Sequence, residues 1–137
     1  MSKFLAIDFG LKRTGIAVTD DSKIIASPLA AIESNKLMDY LIKQVPILNV
    51  SKIILGFPTR MDGSDSHITE NVRLLKTELE KQFSEIDVVF QDERFSSSRA
   101  QQTVHFAGKK KQHKDKGLID KLSATIILQE YLETIDN

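Results

Sequence analysis

The hydrophobic and polar positions of this chain change period along its length, and the changes mark out the elements. Phe4 to Ile7 are apolar without interruption, as in a strand covered on both faces, and the strand predicted over residues 3–9 ends around a lone carboxylate, Asp8. Gly10 and Gly15 bracket a basic turn (Leu11, Lys12, Arg13, Thr14), after which Ile16–Thr19 begins a second strand. That strand stops at Asp20-Asp21-Ser22, a turn sequence. A third run, Ile24–Ile32, contains Pro28, which favours an edge strand or a bulge. Short turns between three strands predict an antiparallel meander.

The period then becomes helical. Leu37, Met38, Leu41, Ile42 and Val45 recur on one helix face, with Ser34 or Asn35 as candidate cap and Pro46 expected to end or kink the helix. Lys52–Pro58 reads as a fourth strand running into a polar loop. Ile68, Val72, Leu75, Leu79 and Phe83 form the apolar face of a second helix, and Ile86–Gln91 a fifth strand leading into Asp92-Glu93-Arg94. A short helix from Ser96–Ser98 to about Ala107, a basic stretch over 108–116 and a last helix from Leu118 to about Ile135 complete the chain. Strands linked through helices imply parallel pairing with the first strand by right-handed crossovers. The fold class is α/β, and residues 1–137 read as a single domain without an internal repeat or linker.

Composition narrows the function classes. Hydrophobic content of 41% and charged content of 28% are those of an ordinary soluble protein, and no apolar run approaches the roughly 20 residues of a membrane span. Because the chain enters a strand at once, no room for a signal peptide is expected. The absence of cysteine rules out disulfides and thiolate metal sites and is compatible with a cytoplasmic location. Net charge is zero, so a polyanionic partner can be argued only from local charge.

Local charge does point somewhere. In a parallel sheet, ligands gather at the carboxyl ends of the strands. Asp8, the Gly56-Phe57-Pro58 loop and Asp92-Glu93-Arg94 all lie at that end and are expected to converge. Asp120 joins them from the last helix, where it shares a stripe with Ala124, Ile127 and Tyr131; small Ser123 and Ala124 beside it would let the helix lie close to the sheet. Each acid alone has an ordinary structural explanation: Asp8 a turn cap, Glu93 a partner of Arg94, Asp120 a dipole-favoured acid near a helix start. Jointly, oxygen ligands without a His or Cys cluster suit Mg²⁺ or Mn²⁺, ions that commonly serve phosphate chemistry.

The basic residues fit the same chemistry. Lys109, Lys110, Lys111, Lys114 and Lys116 put five lysines within eight residues immediately before the Asp120 helix, and Lys12, Arg13 and Arg60 lie on loops at the same edge. Such contacts would hold a nucleic-acid backbone without reading its sequence. Ser96, at a helix start, could hold a phosphate through its hydroxyl and the free N–H groups, and Arg94 could add a further contact. His67, His105 and His113 lack zinc-ligand spacing, and no dinucleotide fingerprint or P-loop is present.

With these segments assembled, the chain resembles the YqgF (RuvX) family of Holliday-junction-resolvase-like proteins, of the RNase H-like fold. The resemblance rests on Asp8-x-Gly10 with Lys12-Arg13 and Gly15, on Gly56-Phe57-Pro58 with Met61-Asp62-Gly63-Ser64, on Asp92-Glu93-Arg94 with Ser96-Ser97 and Ala100, and on Asp120-x-x-Ser123-Ala124-x-x-Ile127-Leu128. It implies a three-layer fold whose five-stranded mixed sheet has the order 3-2-1-4-5. It also implies a metal-dependent nuclease maturing the 5′ end of pre-16S rRNA, with Holliday-junction resolution as the alternative substrate. The matching catalytic and metal-binding acids are Asp8, Glu93 and Asp120, around two Mg²⁺ or Mn²⁺ ions. Asp92 stays open as a substitute for Glu93, because the two point to opposite faces of an extended strand. A non-catalytic nucleic-acid-binding module of the same fold is the rival class, and an actin-like ATPase would need two such domains. Both a monomer and a homodimer are compatible with the sequence.

Overall fold

The computed structural model describes residues 2–57, 68–92 and 116–135, with Lys116 described in its backbone alone. The predicted short helix from Ser96, most of the basic stretch, and the loop carrying Arg60 lie outside the described residues.

Five strands form one sheet in the order β3-β2-β1-β4-β5. They are β1 (Lys3–Asp8), β2 (Arg13–Thr19), β3 (Ala26–Glu33), β4 (Val50–Phe57) and β5 (Asp87–Asp92). Antiparallel pairing joins β1 to β2 and β2 to β3, whereas β4 pairs parallel with both β1 and β5. The expected meander and crossovers are therefore present. Pro28 sits in the edge strand at an irregularity in register: Ile16 faces Ala30 while the next residue, Ala17, faces Pro28. An edge strand tolerates the missing N–H because it has no ladder to complete on its outer side.

Three helices flank the sheet among the described residues: α1 (Leu37–Leu48), α2 (Thr69–Gln82) and α3 (Lys116–Ile135). Strand alternation sorts the core into two layers. Leu5, Ile7, Ile16, Ile53, Leu55 and Val88 point to one face, where they meet Leu37, Leu41 and Val45 of α1 and Val72 and Leu79 of α2. Phe4, Ala6, Ala17 and Ile54 point to the other and meet Ala124, Ile127, Leu128 and Leu132 of α3. Each large side chain buried in these layers contributes about 1.5–3 kcal/mol. The second layer is built from smaller sheet residues, so α3 can lie close to the strands it covers, chiefly β2, β3 and β1.

Two local expectations change. Pro46 does not end α1: the helix continues to Leu48 and stops at Asn49, whose left-handed backbone (φ 56°) caps it with the N–H turned to the Pro46 and Val45 carbonyls. Pro46 lacks the N–H that would donate to the Ile42 carbonyl one turn earlier, yet only two further helical residues follow it before Asn49. Nor does Ser34 cap α1. Residues Ser34–Lys36 form a 3₁₀ turn without a side-chain cap, and the Ser34 hydroxyl is used elsewhere.

Leu41 and Ile42 are adjacent apolar residues of α1, yet Leu41 is fully buried and Ile42 is 43% exposed. Urea denaturation should show Leu41→Ala destabilised by about 2–5 kcal/mol and Ile42→Ala by about 1 kcal/mol or less. Equal losses at both positions would contradict the layer assignment.

Candidate active site

Asp8 closes β1 on the same face as Phe4 and Ala6, toward α3. Its antiparallel partner is Gly15 of β2. On the other side, the β1–β4 ladder ends with Ile7 paired to Leu55, and Gly56 follows in β4.

Gly15 serves a purpose that its place in the sequence conceals. The expected Gly10–Gly15 turn is shorter than predicted, because β2 begins at Arg13 and Gly15 lies inside the strand. There the backbone of α3 passes directly over it: a Cβ on Gly15 would stand 1.9 Å from the carbonyl oxygen of Asp120. Asp8 and Asp120 therefore both adjoin Gly15, one as its ladder partner and one as the helical residue above it. Asp120 is the fifth residue of α3, past the first turn, so the dipole of the helix start is a weak reason for an acid there. Ser123 and Ala124 are buried beside it, as their small size suggested.

Arg13 completes the group. It shares the α3-facing side of β2 with Gly15 and Ala17, and its Nε donates to Oδ2 of Asp120 at 3.0 Å. The two side chains retain 39% and 24% of their exposure, so the pair stands at the rim of the sheet.

The loop between β1 and β2 is fastened to the end of β3. The Ser34 backbone N–H donates to the Lys12 carbonyl at 2.9 Å, and its hydroxyl donates to the Gly10 carbonyl and shares a hydrogen bond with the buried Thr14 hydroxyl. Gly10 is required by close approach, since a Cβ there would lie 2.4 Å from the Arg13 carbonyl oxygen. Lys12 projects from this loop and is exposed.

The remaining expected residues divide. Asp92 pairs with Phe57 at the end of β5, and alternation puts it with Val88 and Phe90 on the face of α1 and α2, opposite Asp8. Glu93, Arg94, Ser96, Arg60, Lys109, Lys110, Lys111 and Lys114 lie outside the described residues, as does the side chain of Lys116. Among the described residues no group of three acids, histidines or cysteines is placed to hold a metal ion. Sequence reasoning missed the strand role of Gly15, the anchoring by Ser34 and the pairing of Arg13 with Asp120. The isolated glycine in an otherwise apolar strand pattern, Thr14-Gly15-Ile16-Ala17-Val18, was the available signal for a close backbone approach.

A mixed sheet in this order, with an acid at the end of its central strand and a second on a helix crossing beside it, defines an RNase H-like domain. The same fold occurs in T. thermophilus RuvC in complex with Holliday junction substrate, which superposes with a TM-score of 0.60 at 11% identity over 100% of this chain and 97% of that one. The family profile described as RuvX: Holliday junction resolvase matches residues 2–134. Relatives bearing the name "Putative pre-16S rRNA nuclease" include those of Phocaeicola vulgatus, 44% identical over 98% of this chain and 97% of the relative, and of Porphyromonas gingivalis, 42% identical over 99% of each. The chain belongs to the RuvX (YqgF) family.

Gly15→Ala should lower stability by about 1–3 kcal/mol or more, because the added methyl meets helix backbone rather than a side chain that can turn away. Chemical denaturation checks this. A change under about 0.5 kcal/mol would mean that α3 does not depend on the close approach.

Proposed function

We propose that the protein is a nuclease, a hydrolase of nucleic-acid phosphodiesters, whose substrate is the 5′ region of pre-16S rRNA. The observation that supports this reading is that Asp8 is the ladder partner of Gly15 and the backbone of Asp120 lies over the same glycine, in a chain of the RuvX family. The relatives' names supply the rRNA substrate.

The acids fit a divalent cation of the Mg²⁺ or Mn²⁺ type. Carboxylates are hard oxygen donors, and Asp8 and Asp120 are residues that adjoin the same glycine, Gly15. Asp8 and Asp120 would hold the metal, and Glu93 is the preferred third acid because Asp92 alternates to the opposite face. Bound there, a divalent ion supplies Lewis-acid activation of water and neutralises charge at the phosphodiester.

The chain's own residues account for the rest. Asp8 is fixed by the central strand and Asp120 by the helix seated on Gly15, so both acids are positioned by backbone packing rather than by a loop. Arg13 orients the Asp120 carboxylate. Lys12, on the anchored loop, and the lysines of 109–116 with Arg60, Arg94 and Ser96 would hold flanking phosphates. Contacts of this kind predict binding that weakens steeply with salt.

The test is cleavage of an RNA spanning the 5′ end of pre-16S rRNA, with a four-way DNA junction assayed in parallel and Mg²⁺ or Mn²⁺ supplied to both. Asp8→Asn and Asp120→Asn should each reduce cleavage by about a hundredfold or more, since losing a direct ligand exceeds the 10–100-fold effect of outer partners. Unchanged cleavage in either variant removes that acid from the site. Preference for the junction assigns the enzyme to branched DNA, and binding of both substrates without cleavage leaves a non-catalytic module.

A further inference from the structure

We propose that Arg13 is an intramolecular counter-cation for Asp120, one that a divalent metal must displace or share the carboxylate with. The inference deepens the nuclease reading and rests on it for the metal, but the ion pair can be tested without any catalysis.

Three observations carry it. First, the bond is specific in geometry: Nε of Arg13 reaches Oδ2 of Asp120 at 3.0 Å across 107 residues of sequence. Second, the backbone leaves little choice of partner. Arg13 and Gly15 lie on the same side of β2, and Asp120 sits on the helix turn directly above Gly15, so the arginine is held beside that carboxylate. Third, the guanidinium is only partly engaged. Its two terminal amino groups make no hydrogen bond among the described residues, so it remains able to take a second anion.

Asp120 carries its negative charge on a helix turn over Gly15, the ladder partner of a second acid, Asp8, and a positive charge bonded to it offsets that charge in the absence of any ion. Arg13 supplies the positive charge through its guanidinium. The consequence is a competition. A divalent ion approaching Asp120 meets a guanidinium already bound to it, so removing Arg13 should tighten metal binding while weakening the metal-free fold. An arginine that merely packed against the helix would weaken the fold and leave metal affinity alone. A displaced guanidinium would have its planar fork free for a phosphate oxygen, so metal and nucleic acid should favour each other's binding.

The experiment uses the full chain with Arg13→Gln, Arg13→Lys, Asp120→Asn and the double variant Arg13→Gln/Asp120→Asn. Urea denaturation in chelator should show Arg13→Gln less stable than wild type, and the same substitution nearly without effect in the Asp120→Asn background. Titration with Mn²⁺, read by its paramagnetic resonance signal, should give roughly two- to fivefold tighter binding to Arg13→Gln than to wild type, the range expected for losing a partly exposed pair. Arg13→Lys, keeping the charge, should lie between them. Equal stability loss in both backgrounds overturns the ion pair. An intact pair with unchanged or weaker Mn²⁺ binding in Arg13→Gln overturns the competition. Absence of Mn²⁺ binding to wild type and to Arg13→Gln alike overturns the competition and, separately, the metal-site reading itself, whereas the denaturation result still decides the ion pair.

Discussion

The contact between the backbone of α3 and β2 at Gly15 governs the arrangement of this molecule's charged end. A helix can be pressed onto a sheet only as far as the intervening side chains allow. Here the strand residues facing α3 are small near the site (Gly15, Ala17, Ala6), while the opposite face carries Leu5, Ile7, Ile16 and Leu55. The sheet is thus asymmetric in thickness. The helix that carries Asp120 approaches until its own carbonyl occupies the space a methyl would need. A larger residue at position 15 would lift α3 and carry the Asp120 carboxylate away from the strand that bears Asp8.

A carboxylate at the edge of an apolar layer is unfavourable unless its charge is offset, and for Asp120 the fold does this with a neighbour rather than with burial. Asp120 keeps a quarter of its exposure and bonds Arg13 from the adjacent strand. Partial exposure matters: a fully buried acid would meet a desolvation penalty that a single ion pair rarely repays.

The other end of the sheet is organised differently. Phe4 and Tyr131 meet edge to face at 6.0 Å, and Lys52 lies over both rings while donating to the Tyr131 hydroxyl at 2.7 Å. Asp20 there accepts the backbone N–H groups of Ile25 and Ile24, which lowers its pKa below the usual carboxylate value, and Lys3 does the same to Asp21 by a direct hydrogen bond. These contacts hold the far half of α3 and the β2–β3 turn. The helix is fixed at both ends, by aromatic and cationic contacts at one and by close backbone packing at the other, so the Asp120 carboxylate is carried by a rigid element.

What the sequence determined by itself was everything written in periodicity and chain order. The unbroken apolar run Phe4–Ile7, the helical recurrence of Leu37, Leu41 and Val45 and the short turns between early strands specify the elements and the meander, because burial demands depend on local spacing. The spacing of Asp120 with Ala124 and Ile127 likewise revealed which way the acid faces. The tertiary structure alone decided which residues meet across the fold. That Gly15 is a strand residue beneath a helix, that Arg13 pairs with an acid 107 positions away and that Ser34 ties down a loop instead of capping α1 depend on register and helix placement. Such contacts are made between residues whose local patterns carry no mark of one another, so they exist only once the chain has closed on itself.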